Sequence, residues 1–215
     1  MQPSIIFEDE ALLVLGKPSG WIVNEAQSAK GDILQTWLSE MDYPLAKSRE
    51  YRSGIVHRLD KETSGVLLVA KTPEAFSNLQ AQFKERKVQK SYIALVHGKP
   101  KLGEGKIAAP VGRLPWRRER FGIIPGGREA TTSYKVMGAY KKGESEYSLI
   151  EAYPKTGRTH QIRVHFKYLG HPVVADEFYA GRKTARGDRA WCPRLFLHAA
   201  EIEFLHPVSG ERVSF

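Results

Sequence analysis

Apolar and polar positions along the chain change period several times, and each change predicts an element. SIIFEDEALLVLGKPSG (4–20) holds two short apolar runs split by acids and closed by Gly and Pro. That pattern predicts two strands and a turn. In GDILQTWLSEM (31–41), Ile33, Leu34, Trp37, Leu38 and Met41 recur at helical spacing, with Asp32 placed to cap the helix. The polar run from Asp42 to Ser53 predicts a mobile segment. GIVHRLD (54–60) then reads as a strand, KETSG (61–65) as a turn and VLLVAKT (66–72) as a buried strand. TPEAFSNLQAQFKERKV (72–88) predicts a helix capped by Thr72, with Pro73 in its first turn and Phe76, Leu79 and Phe83 facing inward. KSYIALVHG (90–98) is a strand. The stretch from Lys106 to Met137 alternates short strands with Pro/Gly turns, and EYSLIEAYP (146–154) continues the pattern. KTGRTHQIRVHFKYLG (155–170) turns into a helix, with Thr159 as its cap and Gly170 as its stop. RLFLHAAEIEFLHP (194–207) adds two short strand segments.

Strands outnumber helices and do not alternate with them regularly. The pattern therefore predicts one α+β domain over residues 1–215, with a mixed, mostly antiparallel sheet. No apolar run approaches the length of a membrane span. The N-terminus lacks a basic region and a cleavage site of the kind that marks a signal peptide. A single cysteine, Cys192, excludes an intrachain disulfide and a cysteine-based zinc cluster. A cytoplasmic location is the simplest expectation. Charge changes the picture more. The chain has 33 Lys+Arg against 24 Asp+Glu, a formal net charge of +9 and a pI near 9.6. That excess favours a polyanionic partner, because neutralised phosphates release counterions.

Three clusters could carry chemistry. Asp60 follows Ile55, Val56 and Leu59 and sits beside His57, Arg58 and Lys61. A partly shielded carboxylate among cations stays ionised at neutral pH and can act as nucleophile or base. The alternative is a turn-forming aspartate that caps backbone N–H groups in DKETSG. TGRTHQIRVH (156–165) gathers Arg158, His160, Gln161, Arg163 and His165 at a strand-to-helix junction. The two histidines are five apart with no carboxylate between them, which is not a metal-ligand spacing. Guanidiniums at a helix start suit an anion, or simply form a solvated basic face. LPWRRERF (114–121) interleaves Arg117, Arg118 and Arg120 with Trp116 and Phe121. That mixture suits RNA, whose phosphates pair with guanidiniums and whose unpaired bases stack on rings. It also fits an ordinary basic loop. Tyr92, in KSYIALVHG, is read from its surroundings alone as a core aromatic. No nucleotide-binding, dinucleotide-binding or nucleophile-elbow motif is present.

HRLDKETSG (57–65), KSYIALVHG (90–98), TGRTHQIRVH (156–165), GHPVVAD (170–176) and LHAAEIEFLHP (197–207), in that order, resemble the RluA branch of the pseudouridine synthases. The likeness extends over essentially the whole chain. It implies the pseudouridine synthase fold, a curved mixed sheet with flanking helices and a central cleft. It also implies isomerisation of uridine in RNA, ribosomal or transfer, without metal or cofactor, and a monomer is the default expectation. By this resemblance Asp60 is the essential carboxylate, Arg163 its ionic partner and Tyr92 the ring against the flipped base. Arg58 matches a residue that fills the gap left by the base, and Ile162 forms apolar wall. Arg117, Arg118 and Arg120 are the expected RNA contacts. Many relatives carry an N-terminal S4 domain. Here the catalytic pattern begins by Ile5, so none is expected within the chain. Relatives often read NKP at Gly16-Lys17-Pro18 and His at Asn24. These departures bear on substrate choice.

Overall fold

In the computed structural model, which describes residues 1–25 and 31–215, the N-terminal acid-split apolar runs pair as expected. Strand β1 (Ser4–Glu8) runs antiparallel to β2 (Leu12–Lys17), with Ile5 opposite Leu15. The chain divides into two compact units. One comprises Met1–Lys90 with Ala199–Phe215, and the other Ser91–His198.

In the first unit β2 also pairs antiparallel with β3 (Ser64–Ala70), from Leu12 opposite Ala70 to Lys17 opposite Gly65. Every residue of β3 is buried. Burial on both faces explains its continuous apolar run. Next to β3 comes β10 (Leu197–Leu205), whose end pairs antiparallel with β11 (Arg212–Ser214). The expected pair of short segments in 194–207 is thus one strand. Gly65 has a positive φ of 121°, and a Cβ there would lie 2.1 Å from the Ala199 carbonyl oxygen. Only glycine lets the two backbones approach this closely.

Two helices complete this unit. Helix α1 (Leu34–Ser39) is shorter than expected. Its cap is Ile33, not Asp32, because Ile33 makes a parallel bridge to Ile22 that fixes the chain before the first turn. Helix α2 (Pro73–Lys84) follows the reading closely: the Ala75 N–H donates to Thr72 Oγ1, Pro73 opens the helix, and Phe76 and Leu79 are buried. Two further expectations fail. The Asp42–Ser53 segment is tied down, with Tyr43, Leu45 and Ala46 buried and the Tyr43 hydroxyl donating to the Ser53 carbonyl. GIVHRLD is not a strand: Arg52–Gly54 form a 3-10 turn, Ile55 makes an isolated bridge to Val69, and the rest is irregular.

The second unit is built on β4 (Gln89–His97), which ends inside it. Its neighbours in order are β9 (Ser145–Pro154), β8 (Thr131–Lys142) and β5 (Glu104–Ala108), all antiparallel. β6 (Val111–Leu114) and β7 (Arg117–Ile123) form a separate hairpin. Ala94, Val96, Ile150, Ala152, Phe166 and Val173 lie at the centre of its core. Helix α3 (Gln161–Tyr168) packs Ile162 and Phe166 into that core. Gly170, with φ 83°, stops it as expected. A further helix, α4 (Arg182–Arg189), has no counterpart in the sequence reading. The α+β class and the largely antiparallel sheet agree with the expectation.

Candidate active site

Asp60 stands in an irregular loop where the apolar residues of GIVHRLD have turned inward. Ile55, Val56 and Leu59 are buried, Asp60 is half-buried and Arg58 is exposed. The His57 ring stacks on Phe83, with centroids 4.8 Å apart, and its Nε2 accepts the Leu68 N–H at 2.9 Å. Burial, helped by the positive charge of Lys90, pushes this imidazole down to about 3. His57 is therefore a neutral anchor of the loop and no acid–base group at neutral pH.

The loop after Asp60 is held from the other side by Lys17. This lysine ends β2 at 1% exposure. Its ammonium donates to the carbonyls of Trp21 at 2.8 Å, Pro18 at 2.9 Å and Lys61 at 3.1 Å. Gly20 N–H also donates to the Lys61 carbonyl, and the Ser19 hydroxyl to that of Glu62. Thr63 N–H donates to the Asp60 carbonyl and closes the turn. Burial pushes the Lys17 ammonium down to about 8, against the opposing pull of Asp60 and Glu62. A cation is thereby fixed within electrostatic reach of the Asp60 carboxylate. Among the sequence motifs Lys17 figures only as the middle residue of Gly16-Lys17-Pro18, where the departure from NKP is Gly16. The available signal was a lysine closing the apolar run LLVLGKP.

The remaining candidates belong to the second unit. Tyr92 sits on β4 opposite Ala152, half-buried against the apolar cluster that contains Ile162. Arg163 is 4% exposed in the first turn of α3. Its Nε and Nη2 donate to Asp176 at 2.7 and 2.8 Å, a bidentate pair. The Asp176 Oδ1 also accepts the N–H groups of Phe178 and Tyr179. The Arg163 guanidinium lies over both rings, 5.4 Å from Phe178 and 5.1 Å from Tyr179. Helix α3 is entered through His160, not Thr159, in a left-handed conformation with φ 56°. Its Nδ1 lies 2.8 Å from the Tyr179 hydroxyl, and this contact supports the uncommon backbone. Gln161 and His165 are buried positioning residues. Gln161 Oε1 accepts from Thr156 Oγ1 and Arg158 N–H, and the His165 ring bridges Thr132 Oγ1 and the Ala109 carbonyl.

LPWRRERF makes the tip and second strand of the β6–β7 hairpin. Trp116 is 73% exposed, and Arg117 and Arg118 are exposed. Arg113 Nη1 donates to the Arg118 carbonyl and its guanidinium covers Phe121. Arg120 lies 5.4 Å over Phe178, the same ring that Arg163 covers. The hairpin and the start of α3 thus share one aromatic contact. No sequence spacing announces it. Among the described residues, no group of His, Cys, Asp and Glu could hold a metal ion, and no helix is long and apolar enough to cross a membrane.

Residues 11–168 match the sequence pattern of the family described as RNA pseudouridylate synthase. An uncharacterized RNA pseudouridine synthase of Synechocystis sp. is 39% identical over 98% of the chain. The ribosomal large subunit pseudouridine synthase C of Vibrio vulnificus is 41% identical over 98%. The chain spans 63% and 64% of the lengths of these two relatives. Among solved structures, human RNA pseudouridylate synthase domain containing 1 superposes with a TM-score of 0.74 at 26% identity. That likeness covers 99% of this chain and 82% of the human one.

Proposed function

The chain belongs to the RNA pseudouridylate synthase family, and from that premise we propose that it isomerises uridine to pseudouridine in structured RNA, with Asp60 as the catalytic carboxylate. The observation that carries the proposal is the presentation of Asp60. It is a half-buried carboxylate on a loop clamped by the Lys17 ammonium and the neutral His57 ring, inside the motif HRLDKETSG. The reaction breaks the C1′–N1 bond, turns the detached uracil and joins C5 to C1′. It exchanges no electrons with a second molecule and so needs no redox cofactor; following the resemblance, the proposal includes no metal and no cofactor. The target base has to leave its stack first, because C1′ and the base edges are shielded in a helix. Asp60 then attacks C1′, adds to C6 of the uracil or removes a sugar proton. All three routes require an ionised, rigidly aimed carboxylate, which the cation and the clamped loop favour.

Tyr92 and Arg163 keep the roles that the resemblance gives them, as do Arg58 and Ile162. The exposed arginines of the hairpin bind RNA phosphates, with Trp116 available to stack. The Vibrio relative is named for the ribosomal large subunit, so large-subunit rRNA is the first substrate to try, with tRNA as the second. The proposed enzyme works as a monomer in the cytoplasm. Incubation with unmodified large-subunit rRNA and tRNA transcripts, followed by nucleoside chromatography, tests this reading. Pseudouridine at a discrete site supports it. Tight RNA binding without pseudouridine in either RNA would instead favour an RNA-binding module that has lost catalysis.

A further inference from the structure

RKTARGDR (182–189) has no apolar periodicity, and local physics argues against the helix it forms. Arg182 and Lys183 occupy the first turn, which holds no acid. The helix dipole favours negative charge there. Gly181 offers no side-chain cap, and Gly187 lies inside the helix, where glycine is unfavourable by about 1 kcal/mol. Arg186 is four residues after Arg182 and three before Arg189, spacings at which like charges repel. Tertiary contacts hold α4 in place. The buried Asp188 carboxylate accepts the Ala175 N–H and meets His97 Nε2, both at 2.9 Å, and Ala185 is 1% exposed.

The anchoring leaves one face free. At about 100° per residue, Arg189, Arg182, Arg186 and Lys183 fall within an arc of about 120°. Arg182, Lys183 and Arg186 are exposed and, among the described residues, have no ion-pair partner. Arg189 is paired at 3.3 Å with Glu177. Just beyond the helix, Trp191 remains 36% exposed, with the Lys142 ammonium 5.5 Å over its ring. Local preferences are overridden here, as they are at functional sites.

We propose that this face of α4, with Trp191 and Lys142, is a second RNA-docking strip. It would grip the sugar-phosphate backbone of duplex RNA, separately from the β6–β7 hairpin. The inference rests on the RNA-isomerase reading. An anionic membrane is the weaker partner, since a surface-lying helix needs an apolar face. The buried face of α4, Ala185 and Asp188, is already packed within its own unit. Eight residues of helix extend about 12 Å, enough to follow about three phosphates of one strand.

The test is a fluorescence-anisotropy titration of a labelled hairpin RNA against salt, with wild type and Arg182→Ala/Lys183→Ala/Arg186→Ala. Phosphatidylserine vesicles are titrated in parallel. Loss of three phosphate contacts should lower the slope of log K against log salt by about 2 to 3 and weaken binding at about 0.1 M salt at least tenfold. In the modification assay the variant should raise KM and leave kcat at saturating RNA unchanged. An unchanged slope and affinity for RNA would overturn the strip, as would lost vesicle binding with RNA binding intact. Wild type that binds RNA but makes no pseudouridine would remove the isomerase reading; the titration would still decide whether α4 touches RNA.

Discussion

Replacing Arg163 with Met should first cost stability. Its guanidinium and the Asp176 carboxylate are 5% and 0% exposed in their side chains and form two charge-assisted hydrogen bonds. Removing one partner of such a pair strands the other charge in a poorly solvated site, at about 3–5 kcal/mol. The N–H groups of Phe178 and Tyr179 remain on Oδ1 and soften the loss. The cation–π contacts with those two rings disappear and add to it. A domain is stable by only about 5–15 kcal/mol, so the variant should unfold at a clearly lower urea concentration. Arg163→Met/Asp176→Leu should recover part of the loss, because the Asp176 charge is no longer buried without its partner. Urea unfolding by circular dichroism checks both. A loss under about 1 kcal/mol for Arg163→Met, or a double variant as unstable as the two single losses added, would refute the reasoning. A drop in turnover for Arg163→Met therefore reports on catalysis only after stability has been matched, for instance by comparison with Asp176→Asn.

Lys17→Met should leave the Pro18 and Trp21 carbonyls without their buried donor, at about 1–3 kcal/mol for each such group. It should also lower kcat more than it raises KM, because the Asp60 loop loses its clamp; a variant with wild-type kcat would remove Lys17 from the catalytic arrangement. His57, held neutral by burial down to about 3 from an ordinary 6.5, gives stability a pH dependence. Between these values the unfolded chain binds the extra proton, so stability is fully present above about 6.5 and falls as pH drops toward 3. His57→Gln should flatten this acid limb in a series of urea titrations, and an unchanged limb would place the acid sensitivity elsewhere. Arg117→Ala/Arg118→Ala should reduce the salt slope of RNA binding by about 2 if both touch phosphates, and an unaltered slope would take the hairpin tip off the RNA surface.

What could be read from the chain follows from how local each cause is. Helix α2 was legible to its cap because Thr72, Pro73, Phe76 and Leu79 each act within one or two turns. GIVHRLD resembles a strand because Ile55, Val56 and Leu59 are buried as a strand would bury them. The positive φ angles of Ser53 and Gly54 instead break the chain into a loop. Polar composition hid the anchored Asp42–Ser53 segment, whose order comes from Tyr43, Leu45 and Ala46. Helix α4 left no signal, since it depends on Asp188 reaching His97 across 91 positions of sequence. Among the candidate residues, Asp60, Tyr92 and Arg163 are picked out by the motifs that contain them. Their supports are not: Lys17 reaches Lys61 across 44 positions, and Asp176 reaches Arg163 across 13. Such contacts are fixed by tertiary packing, which no local spacing encodes.

The central claim is that Asp60 isomerises uridine in RNA. Joining C5 to C1′ expels the C5 hydrogen, so tritium release from RNA carrying 5-³H-uridine reports the chemistry without knowledge of the site. Wild type should release tritium from ribosomal or transfer RNA, and Asp60→Asn, folded and still binding RNA, should release none. Equal release by the two proteins would contradict the role of Asp60, and no release by wild type from either RNA would contradict the isomerase itself.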